Sequence, residues 1–306
     1  MSVLSAAYFH DEAAAFAELE ATLWPHGPVC PRCGGLDRVT AVKGARMGLR
    51  RCGPCKRQFT VTVGTVFESS HVKLNLWLQA VYLMCSSKKG ISSHQLMRTL
   101  DVQYKTAWFM SHRIREAMKT GSLPPMGGLG MVVEIDETFI GKKEGAKVKR
   151  GYAHKRPVMT LIERRPGGAV ARSFHVSGTA AADLLPIIRA NVHSGSHIMT
   201  DEAGQYAHIG KYFTEHDFTT HGRGEYVRGD VHTNTVEGFY SVFKRGMKGI
   251  YQHCGEKHLH RYVAEFDFRY NNRVRLGVDD GQRATAALQG IVGKRLTYRR
   301  TNEARG

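Results

Sequence analysis

Two sets of residues have the types and spacing to do chemistry. Four of the six cysteines stand as Cys30-Pro31-Arg32-Cys33 and Cys52-Gly53-Pro54-Cys55, with 18 residues between the pairs. That spacing is expected of a four-thiolate zinc site, and two local redox motifs are the alternative. Each pair must turn tightly to present two sulfurs to one ion, and Pro31, Gly34, Gly53 and Pro54 supply the turns. Cys85 and Cys254 read as packing or surface residues. The second set is acidic. Asp136 and Asp201 each close an apolar, strand-like run, and Glu237 lies in a helical stretch 35 intervening residues after Asp201. Two strand-end carboxylates on neighbouring strands, faced by a helical one, form a cluster that persists only if it holds divalent cations or takes up protons. Oxygen-only ligation favours Mg²⁺ or Mn²⁺. Two such ions would activate a hydroxyl and stabilise the leaving oxygen at a phosphodiester. Lys244 follows Glu237 by seven residues, returns to nearly the same helix face and offers a cation to phosphate.

Duller readings compete for several of these positions. Asn234-Thr235-Val236-Glu237 fits a capping box, with Asn234 as N-cap and Glu237 reaching back to its amide. Glu137 and Glu202 adjoin the favoured acids but point to the opposite face if their strands continue. Glu134 shares the alternation of Asp136 and is a weaker candidate ligand. The histidines at 208, 216, 221, 232, 253, 258 and 260 are irregularly spaced and read as basic surface, with His232 the one adjoining the acidic motif.

The elements that must position these groups are legible in outline. A short amphipathic helix is expected over 11–24, with Phe16, Leu19 and Leu23 at helical spacing. Short strands at 38–42 and 58–63 flank the cysteine pairs as in a zinc ribbon. Apolar residues at helical spacing over 74–84 precede a helical 90–100 segment, and after a break at Asp101–Val102 a further helix runs 103–118. The last two helices fit a helix-turn-helix, with Lys105, Arg113 and Arg115 as DNA contacts; a helical hairpin with a basic solvated face is the alternative. A Gly- and Pro-rich linker follows. Strands at 131–136, 158–163 and 171–176, a helix at 180–190, a strand at 197–201 and a helix starting near Thr233 then suggest a mixed sheet flanked by helices, as in the ribonuclease-H-like α/β fold. The expected division is an N-terminal helix (1–26), a zinc ribbon (27–66), a helix-turn-helix region (67–120), a linker (121–130), a ribonuclease-H-like catalytic domain (131–272) and a basic C-terminal tail (273–306).

Charge points to the partner. Lys and Arg number 44 against 27 Asp and Glu, a net charge of +17. Such a surface favours a polyanion, since neutralising phosphates releases condensed counterions. No stretch is long and apolar enough to span a bilayer, and His10, Asp11 and Glu12 interrupt any signal-peptide pattern, so a cytoplasmic, nucleoid-associated protein with no membrane role is expected. The basic run Lys142, Lys143, Lys147, Lys149 and Arg150 is either a solvated hairpin or a DNA grip.

The motifs carry a resemblance. Ile135-Asp136-Glu137-Thr138-Phe139-Ile140-Gly141, Thr200-Asp201-Glu202 and His232-Thr233-Asn234-Thr235-Val236-Glu237-Gly238-Phe239-Tyr240-Ser241-Val242-Phe243-Lys244-Arg245-Gly246 are similar to the DDE-type insertion-sequence transposases, in particular the ISXO-like group that joins a zinc ribbon to a ribonuclease-H-like core. Gly64-Thr65-Val66-Phe67 and Phe266-Asp267-Phe268-Arg269-Tyr270-Asn271 are similar too. The resemblance covers nearly the whole chain. It implies binding of double-stranded DNA, cleavage at element ends and transfer of the freed 3′-hydroxyl to target DNA by a homo-oligomer. It implies Asp136, Asp201 and Glu237 as the Mg²⁺-binding catalytic triad, with Asn234 the alternative third residue and Lys244 and Arg245 contacting DNA. A transposase-derived DNA-binding regulator and a ribonuclease-H-like nuclease that cuts without joining are the competing functions.

Overall fold

The computed structural model describes residues 3–148, 150–220, 222, 224–225 and 227–297; Lys149, His221 and the last residues of the expected tail lie outside them. The chain divides into two units.

The first unit comprises residues 1–87, 91–119 and 280–306. Helix α1 (Glu12–Leu23) starts where the Asp11 carboxylate accepts the Ala14 amide at 2.7 Å. Three short strands, β1 (Val39–Ala41), β2 (Arg50–Cys52) and β3 (Gln58–Phe59), form one antiparallel sheet in that order. The middle strand, absent from the sequence-based reading, carries Cys52. Arg50 of β2 bonds the Glu20 carboxylate of α1 and lies over the Trp24 ring, which meets Phe59 edge-on.

The helices of this unit follow: α2 (Leu74–Ser86), α3 (Ser93–Leu100) and α4 (Tyr104–Met118). Ser92 caps α3 by accepting the Gln95 amide, and Asp101 ends it at φ +50°, a left-handed conformation that Asp tolerates. Trp77, Leu78, Val81, Leu96, Met110 and Ile114 are buried.

The second unit comprises residues 88–90 and 120–279. Its sheet has the order β6-β5-β4-β7-β8, built from β4 (Val132–Ile140), β5 (Arg156–Arg165), β6 (Gly168–His175), β7 (His197–Asp201) and β8 (Glu215–Thr219). The first three strands meander antiparallel, while β7 joins β4 and β8 joins β7 in parallel. Between β6 and β7 runs α5 (Ala181–Asn191). A two-residue pair, β9 (Val227–Arg228) and β10 (Val231–His232), leads into α6 (Asn234–Gly246), and α7 (Leu259–Asn271) follows.

Alternation along β4 sorts the sheet into two faces. Val133 and Ile135 pack with Leu184 and Ile188 of α5 and with Tyr206. Ile140 packs with Phe239 and Phe243 of α6 and Val263 and Phe266 of α7. The α6 face therefore receives the side chains of Glu134, Asp136 and Thr138.

Helix α8 (Asp280–Gln289) falls where a basic tail is expected. Arg283 is buried and donates to the Cys85 carbonyl at 2.8 Å, and Lys294 donates to the Ala117 and Lys119 carbonyls at the end of α4. Charges that read as a tail thus satisfy orphan helix carbonyls.

Candidate active site and zinc centre

In the ribbon the four cysteine sulfurs all lie within 4.8 Å of one another. Cys30 and Cys55 approach to 3.6 Å, as do Cys33 and Cys52. A tetrahedral Zn²⁺ with Zn–S bonds of about 2.3 Å needs sulfurs roughly 3.8 Å apart, so the donor set fits that ion. Two amide-to-carbonyl turns shape the first pair: the Gly34 amide donates to Cys30 and the Cys30 amide to Gly35. Gly53 is required for a different reason. A Cβ there would lie 2.6 Å from that of Arg38, which comes close because the Gly53 amide donates to the Arg38 carbonyl.

The acidic site is assembled on β4 and β7. Their parallel register pairs Val132 with His197 and Glu134 with Met199, so two residues further along Asp136 falls opposite Asp201 on the same face. Asp201 is the last residue of its strand, and its carboxylate accepts the Ala203 amide at 3.0 Å. Asp136 is not a strand terminus as expected from sequence. Its strand continues to Ile140, because the β4–β5 hairpin stays paired after β7 ends.

Helix α6 brings the third acid. Tyr240 is buried on α6, and its hydroxyl donates to the Asp136 carbonyl at 2.5 Å and lies 3.3 Å from that of Val158. Burial first, then the Asp136 charge, pushes the Tyr240 pKa well up, which keeps the phenol a donor. Glu237 lies one turn before Tyr240 and Lys244 one turn after, with the Lys244 ammonium 5.9 Å from the Tyr240 ring.

The acids and the lysine feel one another. The Asp136 carboxyl is pushed up to about 7, mainly by burial and then by the Asp201 charge; Glu237 adds to the shift, while the Glu137 amide and Lys244 oppose it. Lys244 is shifted down, chiefly by burial, with Lys248 and Lys155 adding to the shift and Asp136 opposing it. Neither Lys155 nor Lys248 was singled out from sequence, although Lys248 lies one turn beyond Lys244. Among the described residues, the carboxylates do not converge as closely as the four sulfurs.

Glu137 faces away from Asp136 and accepts bonds from the Tyr206 hydroxyl and, at 3.0 Å, the Gln205 amide. Asn234 is exposed at the start of α6, whose N-cap is Thr233 and not Asn234. The expected capping box is replaced by Glu134, which accepts the Thr235 and Val236 amides, each at 3.0 Å. Arg245 is exposed and bonds the Ser241 carbonyl and hydroxyl of its own helix. Lys105 is exposed near the start of α4. Arg113 and Arg115 are corrected from DNA contacts to buried residues. Arg113 donates to the Leu296 and Glu68 carbonyls and stacks on Phe109, and Arg115 donates to the Ser111 hydroxyl.

A five-stranded mixed sheet covered by helices on both faces, with Asp136 and Asp201 on neighbouring inner strands, is consistent with the ribonuclease-H-like class, here joined to a ribbon of four cysteines. Residues 127–271 match the ISXO2-like transposase domain and residues 10–58 the transposase zinc-ribbon domain. An uncharacterised protein in the transposable element ISH50 of Halobacterium salinarum is 30% identical over 265 residues, covering 80% of this chain and 86% of that protein. The chain belongs to the DDE-type insertion-sequence transposases of the ISXO2-like group.

Proposed function

We propose that this transposase binds the double-stranded ends of its element, cuts them and transfers the freed 3′-hydroxyls into target DNA. The observation that carries the reading is the β4–β7 register, which sets Asp136 beside Asp201 on the face covered by the helix of Glu237. These three acids would hold Mg²⁺ or Mn²⁺. Their donors are all oxygens, and Asp136, pushed up mainly by burial and then by the Asp201 charge, lies beside negative charge that a divalent cation would offset. When bound, the ions would supply Lewis-acid activation of the attacking and leaving oxygens of a phosphodiester.

The chain's own residues do the rest. Lys244, with Lys155 and Lys248 close enough to affect its charge, would neutralise the phosphates flanking the scissile bond. Tyr240 would fix the Asp136 backbone against α6 without giving up its proton. The exposed side chains His94, Gln95 and Arg98 of α3 and Lys105 of α4 would form the reading face of a helix-turn-helix. Processing two ends together calls for a homo-oligomer on the DNA. The test is a cleavage and joining assay with Mg²⁺ on labelled duplexes that carry the sequences flanking the gene. Joined products are expected, and a protein that binds these ends but never cuts them would contradict the proposal.

A further inference from the structure

The buried acid Glu134 and its partner Arg164 are not accounted for by the chemistry above. Glu134 stands two residues before Asp136 on β4 and is 0% exposed. One carboxylate oxygen accepts the Thr235 and Val236 amides at 3.0 Å; the other accepts the Arg164 Nε at 2.6 Å. Arg164 spends its remaining donors on the segment entering α6, bonding the Asp230 carbonyl at 2.8 Å, the His232 carbonyl at 2.8 Å and the His232 Nδ1 at 2.7 Å. The Asn234 amide in turn points at the same His232 nitrogen, at 3.3 Å.

A helix start leaves amides without intrahelical partners, and a capping side chain normally takes one of them. The N-cap residue of α6, Thr233, makes no such bond. The sheet supplies the cap instead, and does so with a negative charge at the positive end of the helix dipole. A carboxylate this buried is tolerated because it is paired and accepts several hydrogen bonds.

We propose that Glu134 and Arg164 are positioning residues that dock the N-terminus of α6 onto β4 and so set Glu237 opposite Asp136 and Asp201. The inference rests on the transposase reading of that acidic site. Glu134 acts through the helix start, and Arg164, a cation, cannot act as a metal ligand.

The test uses the full chain with Glu134→Gln and Arg164→Gln. The arginine variant decides if the glutamine variant at 134 fails to fold, as judged by zinc content and melting temperature. Two readouts are needed: hydrogen exchange of the peptide spanning 233–240, and Mn²⁺-dependent cleavage of a labelled end at saturating DNA. Faster exchange at the helix start is expected, together with a cleavage loss of about 10- to 100-fold, the range typical when groups orienting metal ligands are removed. DNA affinity should be unchanged. Unchanged exchange, or faster exchange with full cleavage, overturns the inference. So does complete inactivity of Glu134→Gln at every Mn²⁺ concentration beside near-normal Arg164→Gln, since that marks Glu134 as a ligand. If the wild-type chain cuts no DNA, the transposase reading falls, while the exchange measurement still decides whether the latch holds the helix.

Discussion

At the residue scale the question is what makes one acid chemical and its neighbour structural. Glu134, Asp136 and Glu137 lie within four residues of one strand and have three surroundings. Glu134 caps a helix, Asp136 faces Asp201 and Glu137 accepts bonds on the opposite sheet face. Burial and then a neighbouring carboxylate push up both Asp136, to about 7, and Glu137, to about 8, so what sets them apart is that Gln205 and Tyr206 hold the Glu137 carboxylate on the other sheet face. The third acid follows from the helix. Glu237 and Asn234 are both exposed, but Glu237 lies a turn closer to Tyr240, whose hydroxyl reaches the Asp136 backbone, and its charge acts on the Asp136 carboxyl. Glu237→Gln should therefore lower end cleavage by at least the roughly 100-fold seen when a ligand's supporting group is lost. Asn234→Ala should stay within about threefold of wild type. Single-turnover cleavage of a labelled end measures both, and the opposite ranking would move the third position to Asn234.

Among the elements, the helices of the first unit divide their cations between surface and core. Lys105 is exposed, while Arg113 and Arg115 spend their donors on carbonyls and a hydroxyl inside the unit. Lys105→Ala should weaken DNA binding about equally for all sequences and flatten the logarithmic salt dependence by about 1. Arg115→Ala should instead lower the melting temperature, since it leaves a buried hydroxyl without its donor. Binding titrations at several salt concentrations and thermal unfolding separate the two. The same elements show what a sequence discloses. Buried apolar residues just before Asp136 and Asp201, among them Val133, Ile135, Ile198 and Met199, mark β4 and β7. Strand β8, Glu215-His216-Asp217-Phe218-Thr219, hides its nature, since an edge strand carries charge without cost. The α7 core positions Leu259, Tyr262, Val263 and Phe266 keep a helical period that could have been read. The cap on α6 could not. Its partners stand 101 and 102 residues from Glu134, and a local capping box imitates it.

For the whole molecule, two kinds of metal site would serve separate tasks. The ribbon's apolar cluster is small, built on Cys30, Cys52, Phe59 and the side chains around them, so its fold is expected to depend on the thiolate site. One zinc per chain is expected by atomic emission. Chelation or Cys33→Ser should abolish end binding and loosen the ribbon without removing the residual Mg²⁺-dependent chemistry of the second unit; zinc-free protein that binds DNA normally would contradict this. On the proposed function, the net charge of +17 would supply nonspecific attraction to DNA, and all affinities should then fall steeply with salt. No described helix is long and apolar enough to cross a membrane. The central claim is that the acids facing one another on β4, β7 and α6 perform phosphodiester chemistry. The most direct test is strand joining with Mg²⁺ by wild type and by Asp136→Asn, with DNA binding followed in parallel. Joined products from wild type, none from the variant, and equal affinity for element ends are predicted. A variant that still joins ends to a target plasmid would contradict the account.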